Sequence, residues 1–289
     1  MALEREGYTR MRDMIARRGF ISGAAATGLM AGFVSSASGT TDTETTPESI
    51  ISYDPSFLQA SRGDLGRMSF ASRVPYEPHS YQVMVDPTGT APTTLVERFE
   101  LREEDCYMPE DCAMDKQRSE IQGEGARYGE ECWYHMYLYI PNGFHPFGTY
   151  CHVGLNMHSN NNNGTNNTAL IMPIMGGAND VTRYYAMVYD GNRRQRLTLK
   201  PYLEMVGRWT KLEVHSMWSE TGFHRFYFNN ELVYDYSGYT LGADAQSPFK
   251  LKYGLYRGRV NEYKQRFNMR RYPDQIVYYA DVRKTSTRA

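Results

Sequence analysis

Period-two alternation constrains this chain more than any other feature. Residues 133–141, Trp133-Tyr134-His135-Met136-Tyr137-Leu138-Tyr139-Ile140-Pro141, place Tyr134, Met136, Leu138 and Ile140 on one side of an extended backbone and Trp133, His135, Tyr137 and Tyr139 on the other. Pro141-Asn142-Gly143 ends the run. Similar runs recur at 95–102, 151–158, 184–189, 193–200, 209–218, 225–236, 250–259 and 275–282, with Gly, Asn and Asp turn signals between several of them. Long helical periodicities are scarce, and 24 Tyr beside 12 Phe suit half-buried strands. The expectation is an all-β fold, and 289 residues leave room for one large or two small domains.

Two runs carry an unusual second face. In Lys250 to Tyr256, Leu251, Tyr253 and Leu255 form an apolar side, and Lys250, Lys252, Gly254 and Tyr256 oppose it. Gly254 thins that polar face, and the reading is that a sugar chain approaches the backbone there. An ordinary outer strand with a glycine bulge accounts for the same residues. In 151–158, Val153, Leu155 and Met157 oppose His152, Gly154, Asn156 and His158. Arg118 and Glu120, two apart, project to one side: a structural ion pair, or a Glu holding the Arg fork for a substrate carboxylate. The face of Trp133, His135, Tyr137 and Tyr139 also suits sugar, because rings stack on aromatic planes while hydroxyls need polar partners. Arg194, Arg196, Thr198 and Lys200 make one locally cationic ribbon.

Charge and targeting narrow the class. Net charge is −1; residues 1–40 contribute +2, leaving about −3 for the rest, which is not the signature of a general nucleic-acid binder. Arg17-Arg18-Gly19-Phe20-Ile21, an apolar stretch to Val34 and Ser35-Ser36-Ala37-Ser38-Gly39 read as a twin-arginine export signal over residues 1–40. The protein is therefore expected to be secreted or periplasmic, with no stable membrane association after cleavage. Residues 41–78 read as a flexible linker and 79–289 as the functional domain. In an oxidising compartment the even set Cys106, Cys112, Cys132 and Cys151 predicts disulfides, and of three pairings Cys106–Cys112 and Cys132–Cys151 are favoured.

Three segments, in order, resemble the jelly-roll polysaccharide lyases, the group of the alginate lyases, glucuronan lyases and heparin lyase I. Gln117-Arg118-Ser119-Glu120-Ile121 is similar to their R-[ST]-E motif, Asn156-Met157-His158 stands where they carry Q-x-H, and Lys250 to Tyr256 resembles Y-F-K-x-G-x-Y. Asn156 is one methylene shorter than the family's Gln, and Lys250-Leu251 replaces Tyr-Phe. The resemblance spans roughly residues 80–284. It implies a concanavalin-like jelly-roll sandwich of two antiparallel sheets and β-elimination at a uronic acid: loss of the C5 proton and expulsion of O4, leaving a 4,5-unsaturated uronate end.

The same resemblance implies roles. Asn156 and Arg118 would neutralise the substrate carboxylate, and His158 and Tyr256 would serve as base and acid, with Lys252 or Arg257 assisting the tyrosine. Glu120, Lys252, Tyr137, His135, Arg257 and Lys250 would bind substrate. The partner would be an anionic polysaccharide and not nucleic acid, the protein a monomer, and no cofactor is required, a structural calcium being left open. The rival readings are a non-catalytic carbohydrate-binding module on the same scaffold and a glycoside hydrolase, which needs two carboxylates facing the scissile bond.

Overall fold

The computed structural model describes residues 49–71, 77–103, 105–106, 108–145, 151–160, 166–176, 182–190, 193–245, 249–266 and 268–288. The export signal, residues 1–40, lies outside them, as does the Gly191-Asn192 turn. Within them the strands are β1 (Ile50–Ser52), β2 (Ser69–Phe70), β3 (Tyr81–Val85), β4 (Leu95–Leu101), β5 (Lys116–Glu124), β6 (Glu131–Tyr139), β7 (Cys151–Asn160) and β8 (Asn166–Gly176), of which β1, β2, β3 and β8 are not among the alternating runs read from the sequence. β9 (Thr182–Asp190), β10 (Arg193–Pro201), β11 (Trp209–Met217), β12 (Gly222–Phe228), β13 (Glu231–Gly238), β14 (Lys250–Gly258) and β15 (Gln275–Thr285) follow. Two short helices, α1 (Pro109–Ala113) and α2 (Val260–Arg266), sit between strands.

The strands form two antiparallel sheets, one of eight in the order β1-β3-β4-β15-β6-β11-β12-β13 and one of seven in the order β10-β9-β8-β7-β14-β5-β2. This is the jelly-roll sandwich expected from the sequence. The inward residues of both sheets form one cluster: Tyr134, Met136, Leu138, Leu212, Val214, Phe226 and Val277 from one, and Val153, Leu155, Met157, Leu251, Tyr253, Leu255 and Val188 from the other. Burial of such faces is the main favourable term in folding.

A tyrosine from the eight-stranded sheet shapes the middle of the other. The β7–β14 ladder runs from Lys250↔His158 to Arg257↔Cys151 but is interrupted between Lys252↔Asn156 and Leu255↔Val153. Tyr279 of β15 reaches into that gap: its hydroxyl accepts from the Gly154 N–H at 2.7 Å and donates to the Gly254 carbonyl at 2.8 Å. Both glycines have positive φ, +110° and +131°. A side chain at Gly254 would collide with the Ser119 carbonyl and the Phe99 ring, not with a ligand. Gly254 therefore serves the inward backbone geometry rather than the approach of a sugar.

The structure corrects three other expectations. Residues 49–71, assigned to a linker, belong to the fold. β1 pairs with β3 and β2 with β5, and Leu65 and Met68 join the core. Arg62, 1% exposed, pairs there with Glu97 at 2.7 Å and also donates to Tyr253 of β14. Cys106 and Cys112 form the expected disulfide, but Cys132 and Cys151 are buried and not joined to each other by a disulfide. β6 and β7, which carry them, lie in opposite sheets and do not pair with each other, although they are adjacent in sequence. His135 and Tyr137, taken as substrate-binding, lie on the outer face of the eight-stranded sheet. His135 contacts Glu213 at 3.1 Å and Thr285 at 2.9 Å, and Tyr137 packs beside a small cluster of Met84, Val96, Tyr278 and Ala280. The aromatic pattern on β6 is satisfied by protein.

Candidate active site

The outward face of the seven-stranded sheet is ordered in cross-strand rows. One row runs Arg118, Tyr256, His152 and Pro173 over β5, β14, β7 and β8. A second runs Gln122, Lys252, Asn156, Ile171, Met187 and Arg196, from β5 to β10. Glu124, Lys250 and His158 share a third. Adjacent residues within a row have Cβ atoms about 4.5–5.5 Å apart, so register decides which groups can act together.

The first row holds the densest constellation. Tyr256 stacks on His152 with ring centroids 4.9 Å apart and planes 23° apart. The Arg118 guanidinium carbon lies 5.5 Å from the Tyr256 ring centroid. Arg118 Nε and Nη2 donate to the two Asp111 oxygens at 2.5 and 2.8 Å, and its Nη1 is 3.6 Å from Glu120. Asp111 on α1 is thus the fork's main counter-ion, not Glu120 as the sequence spacing implied. Glu120, 2% exposed, accepts from Asn156 Nδ2 at 3.0 Å. A carboxylate accepts only, so it turns the amide nitrogen toward itself. Asn156 Oδ1 is left buried without a hydrogen-bond partner in the protein.

Electrostatics follow from burial. Burial, with Arg118 adding to it, lowers the His152 pKa to about 3, so the imidazole is neutral at ordinary pH. Lys252, beside Asn156, also has its pKa lowered by burial, opposed in part by Glu120. Among the described residues, no group of three or more His, Cys, Asp or Glu could hold a metal ion.

Arg118, Glu120, Asn156, Lys252 and Tyr256 are therefore brought together, and three other candidates on this sheet are not. His158 pairs across from Lys250, whereas Tyr256 pairs across from His152. Six residues along a strand is about 20 Å, so His158 and Tyr256 cannot serve one reacting sugar carbon. His152, not His158, lies across from Tyr256. Its signal was present in the alternation, since it shares the outward face with Asn156 and His158, but the motif's spacing hid it. Arg257, also taken as substrate-binding, is 0% exposed and turned inward. It donates to Gln117 and Gln275 and to the backbone carbonyls of Pro273 and Arg102, and it stacks on Tyr272. Alternation put it on the face of Leu255, and the structure keeps it there. Lys250 is exposed at the far end of β14.

Two rows thus place Arg118, Tyr256 and His152, and Lys252 and Asn156, on one outward face of the sandwich. Residues 59–283 match the polysaccharide lyase family, and the chain belongs to it; it is a lyase. Among solved structures it is similar to the endo-β-1,4-glucuronan lyase of the fungus Trichoderma reesei: 16% identity, TM-score 0.52, covering 76% of this chain and 94% of that one. A variant of the alginate lyase Aly36B in complex with an alginate trisaccharide is also similar, with 12% identity, TM-score 0.50 and coverage of 76% and 88%. These likenesses concern the fold. None of the curated proteins matches the chain.

Proposed function

We propose that this lyase cleaves a uronic-acid-containing anionic polysaccharide by β-elimination on the outward face of the seven-stranded sheet, and that it acts after twin-arginine export. The observation that carries the reading is the stacked His152–Tyr256 pair flanked by Arg118 and the Lys252–Asn156 pair.

The chemistry requires three things at one sugar. The carboxylate next to C5 must be neutralised, because its charge opposes a carbanion on its neighbour. Lys252 and Arg118 are the cations on β14 and β5, beside Asn156 and Tyr256. They act where water is partly excluded, so their field is less screened than in bulk solvent. The sugar must also be oriented, and Asn156 Oδ1 takes a substrate hydroxyl while Glu120 holds the amide. Finally, a proton must leave C5 and one must reach O4. His152 and Tyr256 perform these transfers. His152 is neutral and so can accept a proton, and an arriving carboxylate raises its affinity for one. Arg118 over the Tyr256 ring stabilises negative charge on the phenol oxygen when it gives its proton to O4. The carboxylates here, Asp111 and Glu120, are engaged with Arg118 and Asn156, which disfavours a two-carboxylate hydrolase.

The test compares histidines. His152→Ala should lower turnover of a polyuronate by about 10²-fold or more, and His158→Ala by less than about threefold. The reverse order would return the role to His158.

A further inference from the structure

We propose that Asp111 is a positioning residue: held by the Cys106–Cys112 disulfide, it fixes the plane of the Arg118 guanidinium over Tyr256. The inference rests on the lyase reading above and adds to it a residue and a covalent bond outside the sheet that the reaction depends on.

Arg118 projects from β5 into a partly buried site and needs a counter-ion to stay ordered. The nearby Glu120 is poorly placed, 3.6 Å from Nη1 and already accepting from Asn156. Asp111 instead takes Nε and Nη2 together, at 2.5 and 2.8 Å. Two parallel bonds to a planar fork set its orientation as well as its position, which a single contact does not. The plane so fixed lies against Tyr256, which stacks on His152. Orientation passes along a continuous line of contacts, Asp111 to Arg118 to Tyr256 to His152.

Asp111 itself does not meet substrate. Its side chain is 3% exposed, and its two oxygens are occupied by Arg118. It sits on α1, a five-residue helix between β4 and β5. A helix this short has little stability of its own. What constrains it is the disulfide: Cys112 is the next residue in α1, and its bond to Cys106 closes a loop six residues apart in sequence. Such a crosslink restricts the loop's alternative conformations. Without Asp111, Glu120 becomes the nearby carboxylate for Arg118. Drawing it there would release Asn156, so one substitution would disorder both rows.

A double-mutant cycle tests this, with the full chain and its disulfide intact. Asp111→Ala should lower kcat by about 10–100-fold with KM changed by less than about threefold, and the Asp111→Ala/Arg118→Ala double variant should be no slower than Arg118→Ala within about twofold. Asp111→Glu, which restores a carboxylate, should recover part of the loss. The Cys106→Ser/Cys112→Ser variant should lose kcat in the same sense, with no further loss when Asp111 is already Ala. Effects that multiply in full would overturn the proposal, as would an Asp111→Ala enzyme of unchanged kcat. A second readout is independent of turnover: the Arg118 Nε–H should exchange slowly with solvent in the unaltered protein and rapidly in Asp111→Ala and in the cysteine variant. An Arg118 Nε–H already in fast exchange in the unaltered protein, or unaffected by Asp111→Ala, also sinks the idea. Slow exchange in a protein that cleaves no polyuronate would instead refute the lyase reading while leaving the Asp111–Arg118 clamp standing.

Discussion

At the scale of single residues, the site trades solvation for field strength. Lys252 and Asn156 are paired across β14 and β7, and both are shielded enough that water answers few of their needs. Glu120 decides what Asn156 offers a ligand, because it claims the amide nitrogen. Asn156→Asp would set a second carboxylate against Glu120 at 4% exposure, and like charges so placed force one to take a proton or swing away. Its kcat/KM should drop by about 10²-fold or more, with the loss partly relieved below the pH at which the pair takes up a proton; a pH-independent rate near the unaltered one would show that Glu120 does not orient residue 156. Tyr256→Phe removes only the hydroxyl and keeps the stack on His152, so turnover should fall by about 10²–10⁴-fold while thermal stability stays within about 1 kcal/mol. Kinetics and thermal melting of the same sample would check both halves. A turnover near normal would remove Tyr256 from proton transfer.

At the scale of elements, β7 and β14 owe their shape to what lies behind them. The facing glycines Gly154 and Gly254 adopt positive φ, and Tyr279 fills the interruption from the opposite sheet. Gly254→Ala should destabilise the fold by about 1–3 kcal/mol in urea unfolding, through strained backbone and collision with Phe99, and should lower activity without any contact to substrate. An alanine variant of ordinary stability would restore the idea that the glycine makes room for a ligand.

Most long strands were legible in the sequence because alternation reports burial directly, whereas β1, β2, β3 and β8 were not. Which sheet each strand joins was not. β6 and β7 are successive strands, yet they lie in different sheets. It places His135 and Tyr137 on the sheet opposite Tyr256, and Cys132 and Cys151 on strands that do not pair. Register was likewise hidden. Motif spacing favoured His158, but the partner of Tyr256 depends on how β7 slides against β14, and the ladder places His152 there. Arg118, Asn156 and Tyr256 were legible because a strand face is a local property. Asp111 was not, since a helix inside a disulfide loop has no periodic relation to the sheet.

At the scale of the whole molecule, two buried histidines tie stability to pH. His152 and His224 both have pKa values lowered to about 3 by burial, against an unfolded value near 6.5. Between those limits the unfolded chain binds more protons than the folded one. Stability is therefore fully present above about pH 6.5 and declines as the pH falls toward about 3. Thermal melts across that range should show a falling midpoint, and the two imidazoles should remain neutral by NMR at pH 5. Either ring titrating near 6.5 would contradict their burial. Arg62 and Glu97 connect the N-terminal segment to the underside of β14 through Tyr253.

The most direct test of the central claim is ultraviolet absorbance during incubation of the protein with a panel of polyuronates and glycosaminoglycans. Elimination creates a double bond between C4 and C5 conjugated to the carboxylate, which hydrolysis cannot produce. The account predicts rising absorbance on at least one uronate polymer, lost in Tyr256→Phe and in His152→Ala. New reducing ends without absorbance would contradict it in favour of hydrolysis, and binding without any product would reduce the site to a carbohydrate-binding surface.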